Sequence, residues 1–440
     1  MKVIVVGNGG REHAIAWKLA QSDSVEQIIC APGNGGTLFE KKCTNVNIDI
    51  ASNVAYVEIA KANDCSLAVV GPEAPLADGL ADSFWEEGIP CMGPVAQAAR
   101  LEASKDFAKR FMAKYGVACA QSETFGSKYE ALDYIKQKGV PIVIKADGLA
   151  GGKGVFVAES MSDAEAALEE LTEEPLKDAS AKIVVEEYLK GRELSVLAAV
   201  CVTKSLSDQG KSCIKAFLPA RDHKRLCDGD RGPNTGGMGA FSPVDDATDE
   251  VMAQFNERIL EPTLKGLIAE GWDYRGFIFF GLMLTDEGPK CLEYNVRLGD
   301  PEAQAVLPLM DFELVDLCQA IASGDLASFD LKWKAGYQVA PVAASGGYPK
   351  SFKKGCGIRI DEEKVASLNA KVFMAGVIKE RRKRMLSDAI LITFGGRVLA
   401  CSAHGDTFDE ARKNAYEAMG YVKFADMFYR KDIGLPPSAK

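Results

Sequence analysis

The chain has 440 residues, of which 47% are hydrophobic and 26% are charged, and its formal net charge is −10. These values are typical of a globular protein with room for two to four domains. So acidic a chain disfavours a nucleic-acid or anionic-membrane surface, and any anionic ligand must be held by local cations and backbone amides.

The chain opens with an apolar strand at residues 2–6, a glycine turn at 7–10 and a helix over about 11–21. This order predicts a doubly wound parallel-sheet domain in which the helix N-terminus can take an anion. The dinucleotide fingerprint is incomplete, because Glu12 replaces its third glycine and the second strand, 27–30, ends without an acid. An NAD-dependent oxidoreductase is therefore disfavoured. The glycine clusters suit a phosphorylated sugar, and tight turns are an equally good interpretation.

The same alternation continues with strands at 67–70 and 90–92, both followed by turns that contain glycine and proline. Ligands of such sheets collect at the carboxyl ends of the strands, so these turns are expected to share one crevice. Helices are predicted over 104–114 and 129–138. Lys105 lies near the start of the first, either as a ligand or as a solvated lysine.

Residues 140–156, VPIVIKADGLAGGKGVF, form the stretch most typical of phosphate chemistry. An apolar strand leads to Lys145, and a loop follows that combines four glycines with one lysine: Gly148, Gly151, Gly152, Lys153 and Gly154. Glycines let backbone amides approach an oligophosphate while lysines neutralise its charge. The loop is not a Walker A motif, because Gly154 stands where Ser or Thr is required and a strand, 155–158, follows. We predict a flap between two antiparallel strands; the alternative is a surface hairpin with solvated lysines.

Beyond the flap, the sequence predicts a helix at 163–171 and strands at 182–186 and 192–202. The first of these strands ends in the turn 186–189, which has the acidic and apolar character expected around an adenosine. Glu193 would then accept hydrogen bonds from the ribose hydroxyls. An ordinary exposed turn is the alternative. Residues 222–243 form a long polar loop, predicted to be functional, in which His223 is either structural or part of a site.

Strands at 276–284 and 291–296 form a predicted hairpin. The period of two places three apolar side chains on one face and three polar ones on the other, namely Leu292, Tyr294 and Val296 against Glu293, Asn295 and Arg297. Glu293 and Asn295 offer the oxygen ligands that Mg²⁺ prefers, and Arg297 can clamp a carboxylate or a phosphate. A solvent-facing strand is the alternative.

From about residue 329 the chain becomes a smaller α/β region, with strands predicted at 339–344, 389–393 and 398–402 and a helix at 407–419. The basic run 379–384 contains an acid and is interpreted as a solvated loop. The twelve cysteines lack CxxC pairs and neighbouring histidines, and no apolar run has the length of a membrane span. We therefore expect reduced thiols, a cytoplasmic location and no membrane contact.

Six motifs occur over nearly the full length: GNGGREHA (7–14), APGNGG (31–36), GPEAPL (71–76), KADGLAGGKGV (145–155), DHKR with DGDRGPNTGGMGA (within 222–240) and NVRLGDPE (295–302). By these motifs the chain resembles the phosphoribosylamine–glycine ligase family of the ATP-grasp superfamily. The resemblance implies an N-terminal substrate-binding domain at 1–100, an ATP-grasp core at 101–328 with a mobile lid at about 122–192, and a small C-terminal α/β domain at 329–440.

The resemblance also implies roles for individual residues. ATP would be bound by Lys105, Lys145, Gly148, Gly151, Gly152, Lys153, Gly154, Glu186, Glu187, Leu189 and Glu193. Mg²⁺ or Mn²⁺ would be bound by Glu293 and Asn295. The other substrates would contact Gly9, Gly10, Arg11, Asn34, Gly35, Glu73, Asp222, Lys224, Asn234, Thr235 and Arg297, while Arg297, Lys145 and Asp230 would serve catalysis.

The implied reaction begins with phosphorylation of the glycine carboxylate by ATP. The amine of 5-phosphoribosylamine then displaces phosphate, giving glycinamide ribonucleotide for purine synthesis; a monomer with small-molecule substrates is expected. Four positions depart from the family pattern, namely Tyr294, Leu298, Met374 and Val377. The alternatives are another ATP-grasp ligase, such as a carboxylating or D-alanine-type enzyme, and a nucleotide-binding protein without turnover.

Overall fold

The computed structural model describes residues 1–48, 52–149, 154–173, 181–381 and 389–435. Its N-terminal part is a parallel sheet in the order β3-β2-β1-β4-β5, as the sequence predicts. β1 is buried throughout its apolar run, as expected for a strand covered by helices on both faces. The elements are β1 (Lys2–Gly7), α1 (Gly10–Ala20), β2 (Gln27–Pro32), β3 (Cys43–Asn45), α2 (Asn53–Ala62), β4 (Leu67–Val70), α3 (Glu73–Ala77), α4 (Leu80–Glu86), β5 (Cys91–Pro94) and α5 (Ala96–Ala103).

The next part contains a four-stranded antiparallel sheet in the order β6-β9-β7-β8, covered by two helices. Its apolar core includes Ile135, Ile144 and Leu168. Lys145 pairs with Val155 across β7 and β8, which confirms the predicted pair of antiparallel strands around the glycine-rich loop. The elements are α6 (Lys105–Tyr115), β6 (Ser122–Phe125), α7 (Lys128–Lys138), β7 (Ile142–Ala146), β8 (Val155–Ala158), α8 (Met161–Leu171) and β9 (Ile183–Glu187).

The long central strands extend the N-terminal sheet. Tyr274 pairs with Pro94 of β5, so β16 joins the parallel strands to β10, β11 and β17 in one nine-stranded sheet. The elements are β10 (Arg192–Val202), α9 (Lys204–Asp208), β11 (Cys213–Ala216), β12 (Arg221–Asp222), β13 (Arg225–Cys227), β14 (Arg231–Asn234), β15 (Gly239–Ser242), α10 (Asp249–Phe255), α11 (Glu261–Glu270), β16 (Tyr274–Thr285) and β17 (Gly288–Asn295).

The hairpin of β16 and β17 contains an irregularity that the period of two does not predict. Gly281 pairs with Glu293 and Leu282 pairs with Cys291, so Leu292 is an extra residue in a β-bulge. The prediction that Leu292 shares the buried face of Tyr294 is wrong: Cys291 takes that place in the core, and Leu292 faces the cavity described below.

The C-terminal part is built on a six-stranded sheet in the order β12-β15-β18-β23-β20, with β25 beside β18. Two of its strands come from the stretch 222–243 and its edge, so the prediction of a structureless loop there is wrong. Those strands, β12 with two residues and β15 with four, are too short for periodicity to show them. The elements are α12 (Glu302–Val306), α13 (Leu314–Ser323), β18 (Tyr337–Ser345), β19 (Arg359–Ile360), α14 (Glu362–Ser367), β20 (Ala370–Met374), β21 (Val377–Arg381), β22 (Ala389–Thr393), β23 (Arg397–Gly405), α15 (Phe408–Gly420), β24 (Val422–Lys423) and β25 (Met427–Phe428).

None of the helices in the described ranges combines the length and the apolar character needed to cross a membrane.

Candidate active site

One cavity of about 1040 Å³ lies where the four-stranded, nine-stranded and six-stranded sheets meet. Most of the predicted site residues line it: Gly9, Arg11, Glu73, Lys105, Lys145, Gly154, Glu186, Glu187, Leu189, Glu193, Asp222, Lys224, Asp230, Asn234, Thr235, Glu293, Asn295 and Arg297. Four others, Gly10, Asn34, Gly35 and Gly148, are not among the lining residues. Gly151, Gly152 and Lys153 lie outside the described residues.

Three charged side chains, Lys109 on α6, Lys145 on β7 and Glu186 on β9, form a buried trio. Glu186, on β9, is only 2% exposed. One of its carboxylate oxygens lies 2.8 Å from Lys145 Nζ and the other lies 2.9 Å from Lys109 Nζ. Burial alone would raise the pKa of Glu186, but the two lysines outweigh burial and lower it. The trio therefore carries one surplus positive charge beside the cavity, which favours a polyanionic ligand.

Lys105 adds a third ammonium group to the same region. It begins α6, whose N-cap Ser104 donates a hydrogen bond from Oγ to Asp147 at the end of β7. Lys105 Nζ donates to the carbonyl of Gly148 at 3.2 Å. Burial lowers the pKa of Lys105. These bonds join the helix to the start of the glycine-rich loop, so that Lys105 and Lys145 share one wall of the cavity.

The part of the cavity beside β7 and β8 is apolar. Its wall includes Val143, Val157, Met283 and Leu189, and the bulge in β17 adds Leu292. A flat aromatic base packs well between aliphatic side chains of this kind, and neighbouring backbone groups can bind its edge. The predicted adenosine position at the end of β9 is thus next to the three lysines.

The carboxylates of Glu193 and Glu293 face each other across Lys224. Lys224 Nζ lies 3.1 Å from Glu193 Oε2 and 3.8 Å from Glu293 Oε1. Burial disfavours the charge of Lys224, but the two carboxylates outweigh burial and raise its pKa. Burial likewise opposes the charge of Glu293, and Lys224 and Lys145 lower its pKa, so it is a carboxylate at neutral pH.

The donor set suits a divalent cation only together with a ligand. Within the described ranges, no cluster of three or more His, Cys, Asp or Glu side chains has the arrangement of a metal site. Glu293 and Asn295 supply two oxygen-bearing side chains at the edge of the lysine-rich wall. Mg²⁺ is commonly held in this way, by one or two protein oxygens, substrate phosphates and water.

Arg297 is fixed by acids from two different elements. Its Nη2 donates to Glu102 Oε1 at 2.7 Å, and its Nε lies 3.7 Å from Glu73 Oε2. Glu102 also accepts a 2.7 Å hydrogen bond from the backbone of Val296, and burial raises the pKa of Glu102 to about 7. Arg297 Nε has no hydrogen-bond acceptor among the described residues. The guanidinium is therefore held in place while keeping donor capacity for a bound carboxylate.

Two acidic side chains, Asp222 and Glu302, lie close enough to influence each other's titration. Ser195 Oγ donates to Glu302 at 3.0 Å. Burial, and then the charge of Glu302, raises the pKa of Asp222 well above its usual value. Asp222 Oδ1 makes no hydrogen bond within the part of the chain that the structure describes. Burial and the neighbouring carboxyl group thus disfavour the ionised form of Asp222.

Asn34 and Gly35 are not among the residues that line the cavity, and they join the N-terminal part of the chain to the C-terminal part. Asn34 Nδ2 donates to the carbonyls of Met374 at 2.7 Å and of Gly9 at 3.1 Å. Gly35 N donates to the carbonyl of Val377 at 2.8 Å, and a Cβ at Gly35 would lie 2.7 Å from the Val377 side chain. Since Met374 and Val377 contribute backbone atoms to these hydrogen bonds, their departures from the family pattern leave the bonds intact.

The sequence reasoning missed several charged residues of the site. Asp300 accepts a hydrogen bond from the backbone of Arg11 at 3.2 Å and lies 3.3 Å from Arg397 Nη1. Asp300 and Glu302 belong to the NVRLGDPE motif, which was the available signal for them. Lys109 and Glu102 gave no such signal, because single charged residues in amphipathic helices are usually solvated.

Most of the chain matches one protein family, in three separate parts. The family is phosphoribosylglycinamide synthetase. Its N domain matches residues 1–102, its ATP-grasp (A) domain matches residues 103–303, and its C domain matches residues 338–436. A curated relative from Clostridium acetobutylicum, named phosphoribosylamine–glycine ligase, is 48% identical over 99% of both chains.

Two solved structures are similar over nearly the whole chain. A phosphoribosylamine–glycine ligase from Thermotoga maritima has 36% identity and a TM-score of 0.82, covering 99% of this chain and 100% of its own. The biotin carboxylase domain of a Hydrogenobacter thermophilus 2-oxoglutarate carboxylase, solved with MgADP and bicarbonate, has 15% identity and a TM-score of 0.69, covering 97% and 91%. At that identity the second likeness concerns the fold alone.

Proposed function

The chain belongs to the phosphoribosylglycinamide synthetase family, and we propose that its large cavity joins glycine to 5-phosphoribosylamine at the expense of ATP. The chain is an ATP-dependent ligase of purine biosynthesis. The single observation that carries the site assignment is the convergence of Lys105, Lys145, Glu293, Asn295 and Arg297 on one cavity. Phosphate-binding cations, metal-binding oxygens and a carboxylate clamp are the groups that acyl phosphate formation requires.

ATP is assigned to the lid side of the cavity. The base lies among the aliphatic side chains beside Leu189, the ribose hydroxyls face Glu193, and Lys105 and Lys145 bind the phosphates. Glu187 and Gly154 line the same wall. Glu186 is assigned a supporting role, because both of its oxygens are used by lysines. The loop from Gly148 to Gly154 would cover the phosphates and exclude water from the reacting groups.

ATP-grasp enzymes in general use Mg²⁺ or Mn²⁺ with ATP, and Glu293 and Asn295 are the residues that would hold the ion here. When bound, the ion would neutralise charge on the transferring phosphoryl group. These side chains and the phosphate groups offer oxygen ligands, which suit either Mg²⁺ or Mn²⁺.

Glycine and the amine substrate are assigned to the opposite side. Arg297 binds the glycine carboxylate and orients one oxygen toward the γ-phosphate, which gives glycyl phosphate and ADP. The amine of phosphoribosylamine attacks the acyl carbon and phosphate leaves. The phosphorylated ribose is assigned to Arg11 and the backbone near Gly9, next to Asp230 and Asn234. These groups act by positioning and charge neutralisation, without a covalent enzyme nucleophile.

The proposal extends to the organisation of the chain. Residues 1–100 bind the sugar phosphate, 101–328 bind ATP with a lid at about 122–192, and 329–440 complete the amine side. One chain supplies every group named above, which supports a monomer with small-molecule substrates.

The proposal is tested by measuring ADP release with ATP, Mg²⁺ and glycine, with and without freshly generated phosphoribosylamine. We expect release that depends on both substrates, with glycinamide ribonucleotide as product. Release with a different acid or amine would contradict the substrate assignment. An absence of release would contradict the ligase assignment.

A further inference from the structure

The last described segment of the chain, residues 430–435, lies against a turn that carries part of the cavity wall. The turn, 228–230, joins β13 to β14 and includes Asp230, which lines the cavity. Asp432 Oδ2 accepts a 2.8 Å hydrogen bond from the backbone of Gly229. The backbone of Lys431 donates to Asp228 Oδ1, also at 2.8 Å. The two segments are about 200 residues apart in sequence, so these bonds are tertiary contacts.

Arg430 is the centre of this contact. Its side chain is 1% exposed, and its Nη1 lies 2.8 Å from Asp230 Oδ1 and 3.0 Å from the carbonyl of Arg225. Its Nε and Nη2 donate to both oxygens of Asp432, at 2.8 and 2.7 Å. Burial opposes the charge of Arg430, but the two aspartates outweigh burial and raise its pKa. The guanidinium therefore stays charged, and four contacts to its nitrogens hold it in place.

The segment is itself anchored to a rigid element. Tyr416 on α15 donates from its hydroxyl to the carbonyl of Arg430 at 2.8 Å and accepts from the backbone of Ile433 at 3.1 Å. Arg412, one turn earlier on α15, donates to the carbonyl of Ile433 at 3.2 Å. The contacts thus form a continuous path from helix α15 through Arg430 to Asp230.

The turn needs such external support because of its backbone. Gly229 and Asp230 both have left-handed conformations, with φ of 70° and 52°. Glycine adopts this conformation without cost, whereas aspartate adopts it less readily, so contacts that hold Asp230 help to fix the turn. Residues 234 and 235, at the end of the same hairpin, also line the cavity, so movement of the turn would displace several groups at once.

We propose that Arg430 is a positioning residue that holds Asp230 and the β13–β14 hairpin in the geometry needed to bind the phosphoribosylamine substrate. This inference rests on the proposed function. It assigns residues 430–435 to the amine half of the reaction, because the hydrogen bonds and ion pairs of these described residues reach the hairpin and none of them involves Lys105, Lys109 or Lys145.

The test compares Arg430→Met, Arg430→Lys and the gentler Asp432→Asn in the full-length enzyme, with each substrate varied in turn. We expect the KM for phosphoribosylamine to rise on the order of 10- to 100-fold in Arg430→Met, as misplacement of a substrate-positioning group does. The KM values for ATP and glycine stay unchanged. Arg430→Lys should recover part of the loss, and Asp432→Asn should shift the same KM in the same direction even if Arg430→Met folds poorly.

A double-mutant cycle with Asp230→Asn separates positioning from general stability. If Arg430 acts through Asp230, Arg430→Met adds little to the KM of the Asp230→Asn enzyme, because contacting residues are not additive. Arg359→Met, at an exposed arginine of the same domain, is the matched control and should change no KM.

The outcomes separate this inference from the proposed function. Equal rises in all three KM values, or additive effects in the cycle, would overturn the positioning role. An active wild type with unaltered Arg430 variants would overturn this inference alone. A wild type without turnover that depends on phosphoribosylamine would overturn the proposed function and this inference together.

Discussion

The buried trio of Lys109, Lys145 and Glu186 predicts an unequal response to removal of its members. At 2.8 and 2.9 Å, each ion pair is worth about 6 kcal/mol of Coulomb attraction at an effective dielectric constant of about 20. Glu186→Gln removes both attractions and leaves two buried ammonium groups. Partial deprotonation of the lysines limits the cost, so we expect a loss of about 3–5 kcal/mol in the free energy of unfolding.

Lys109→Met is the matched variant, because it leaves a balanced pair. Lys145 and Glu186 then neutralise each other, and methionine fills a similar volume, so the loss should be about 1–3 kcal/mol, the cost of the one Glu186 oxygen that loses its donor. The same variant removes the surplus positive charge and should weaken ATP binding. Urea unfolding followed by tryptophan fluorescence gives the two stabilities, and calorimetric titration with ATP gives the affinity. A Lys109→Met enzyme that loses as much stability as Glu186→Gln would refute this account of the trio.

Three further predictions concern the metal, the carboxylate clamp and acid stability. Glu293→Ala should abolish turnover while the circular dichroism spectrum stays unchanged. Glu287→Ala, at an exposed carboxylate of the same hairpin, is the control and should stay active. Normal activity of Glu293→Ala would contradict the metal assignment. Arg297→Lys should raise the KM for glycine on the order of tenfold without changing the KM for ATP, because lysine cannot make two parallel hydrogen bonds to a carboxylate. Initial rates measured at varied glycine and varied ATP give the two KM values. Burial lowers the pKa of His223 to about 4, so the stability contributed by this neutral imidazole is complete above pH 6.5, the ordinary histidine value, and is lost as the pH drops toward 4. The loss from this group reaches about 3 kcal/mol. Because Glu102 and His13 also titrate in this range, wild type is compared with His223→Gln by urea unfolding, and the difference in their free energies of unfolding should move in favour of His223→Gln as the pH falls from 7.5 to 4.5.

The parts of the fold that sequence predicts are those where local signals agree with the tertiary structure. The apolar strands β1, β4 and β7 have β-branched runs that end at turns, and helix α6 has a serine N-cap followed by an amphipathic pattern. The alternation of strands and helices in the N-terminal part likewise predicts its parallel sheet.

Most of the features that the sequence did not predict depend on contacts between residues that are far apart in the chain. The bulge at Leu292 depends on the register of β16 against β17, which alternation within one strand does not contain. The role of Asn34 follows from a backbone carbonyl 340 residues away, at Met374. Lys109 becomes part of a charge trio only because β9 brings Glu186 beside α6.

Glycine labelled with ¹⁸O in both carboxylate oxygens tests the central claim most directly. The enzyme would be incubated with ATP, Mg²⁺, labelled glycine and freshly generated phosphoribosylamine, and the products would be analysed by mass spectrometry. If the carboxylate is phosphorylated before the amine attacks, each phosphate released carries one ¹⁸O and each glycinamide ribonucleotide keeps the other. Unlabelled phosphate released together with the amide product would contradict the acyl phosphate route.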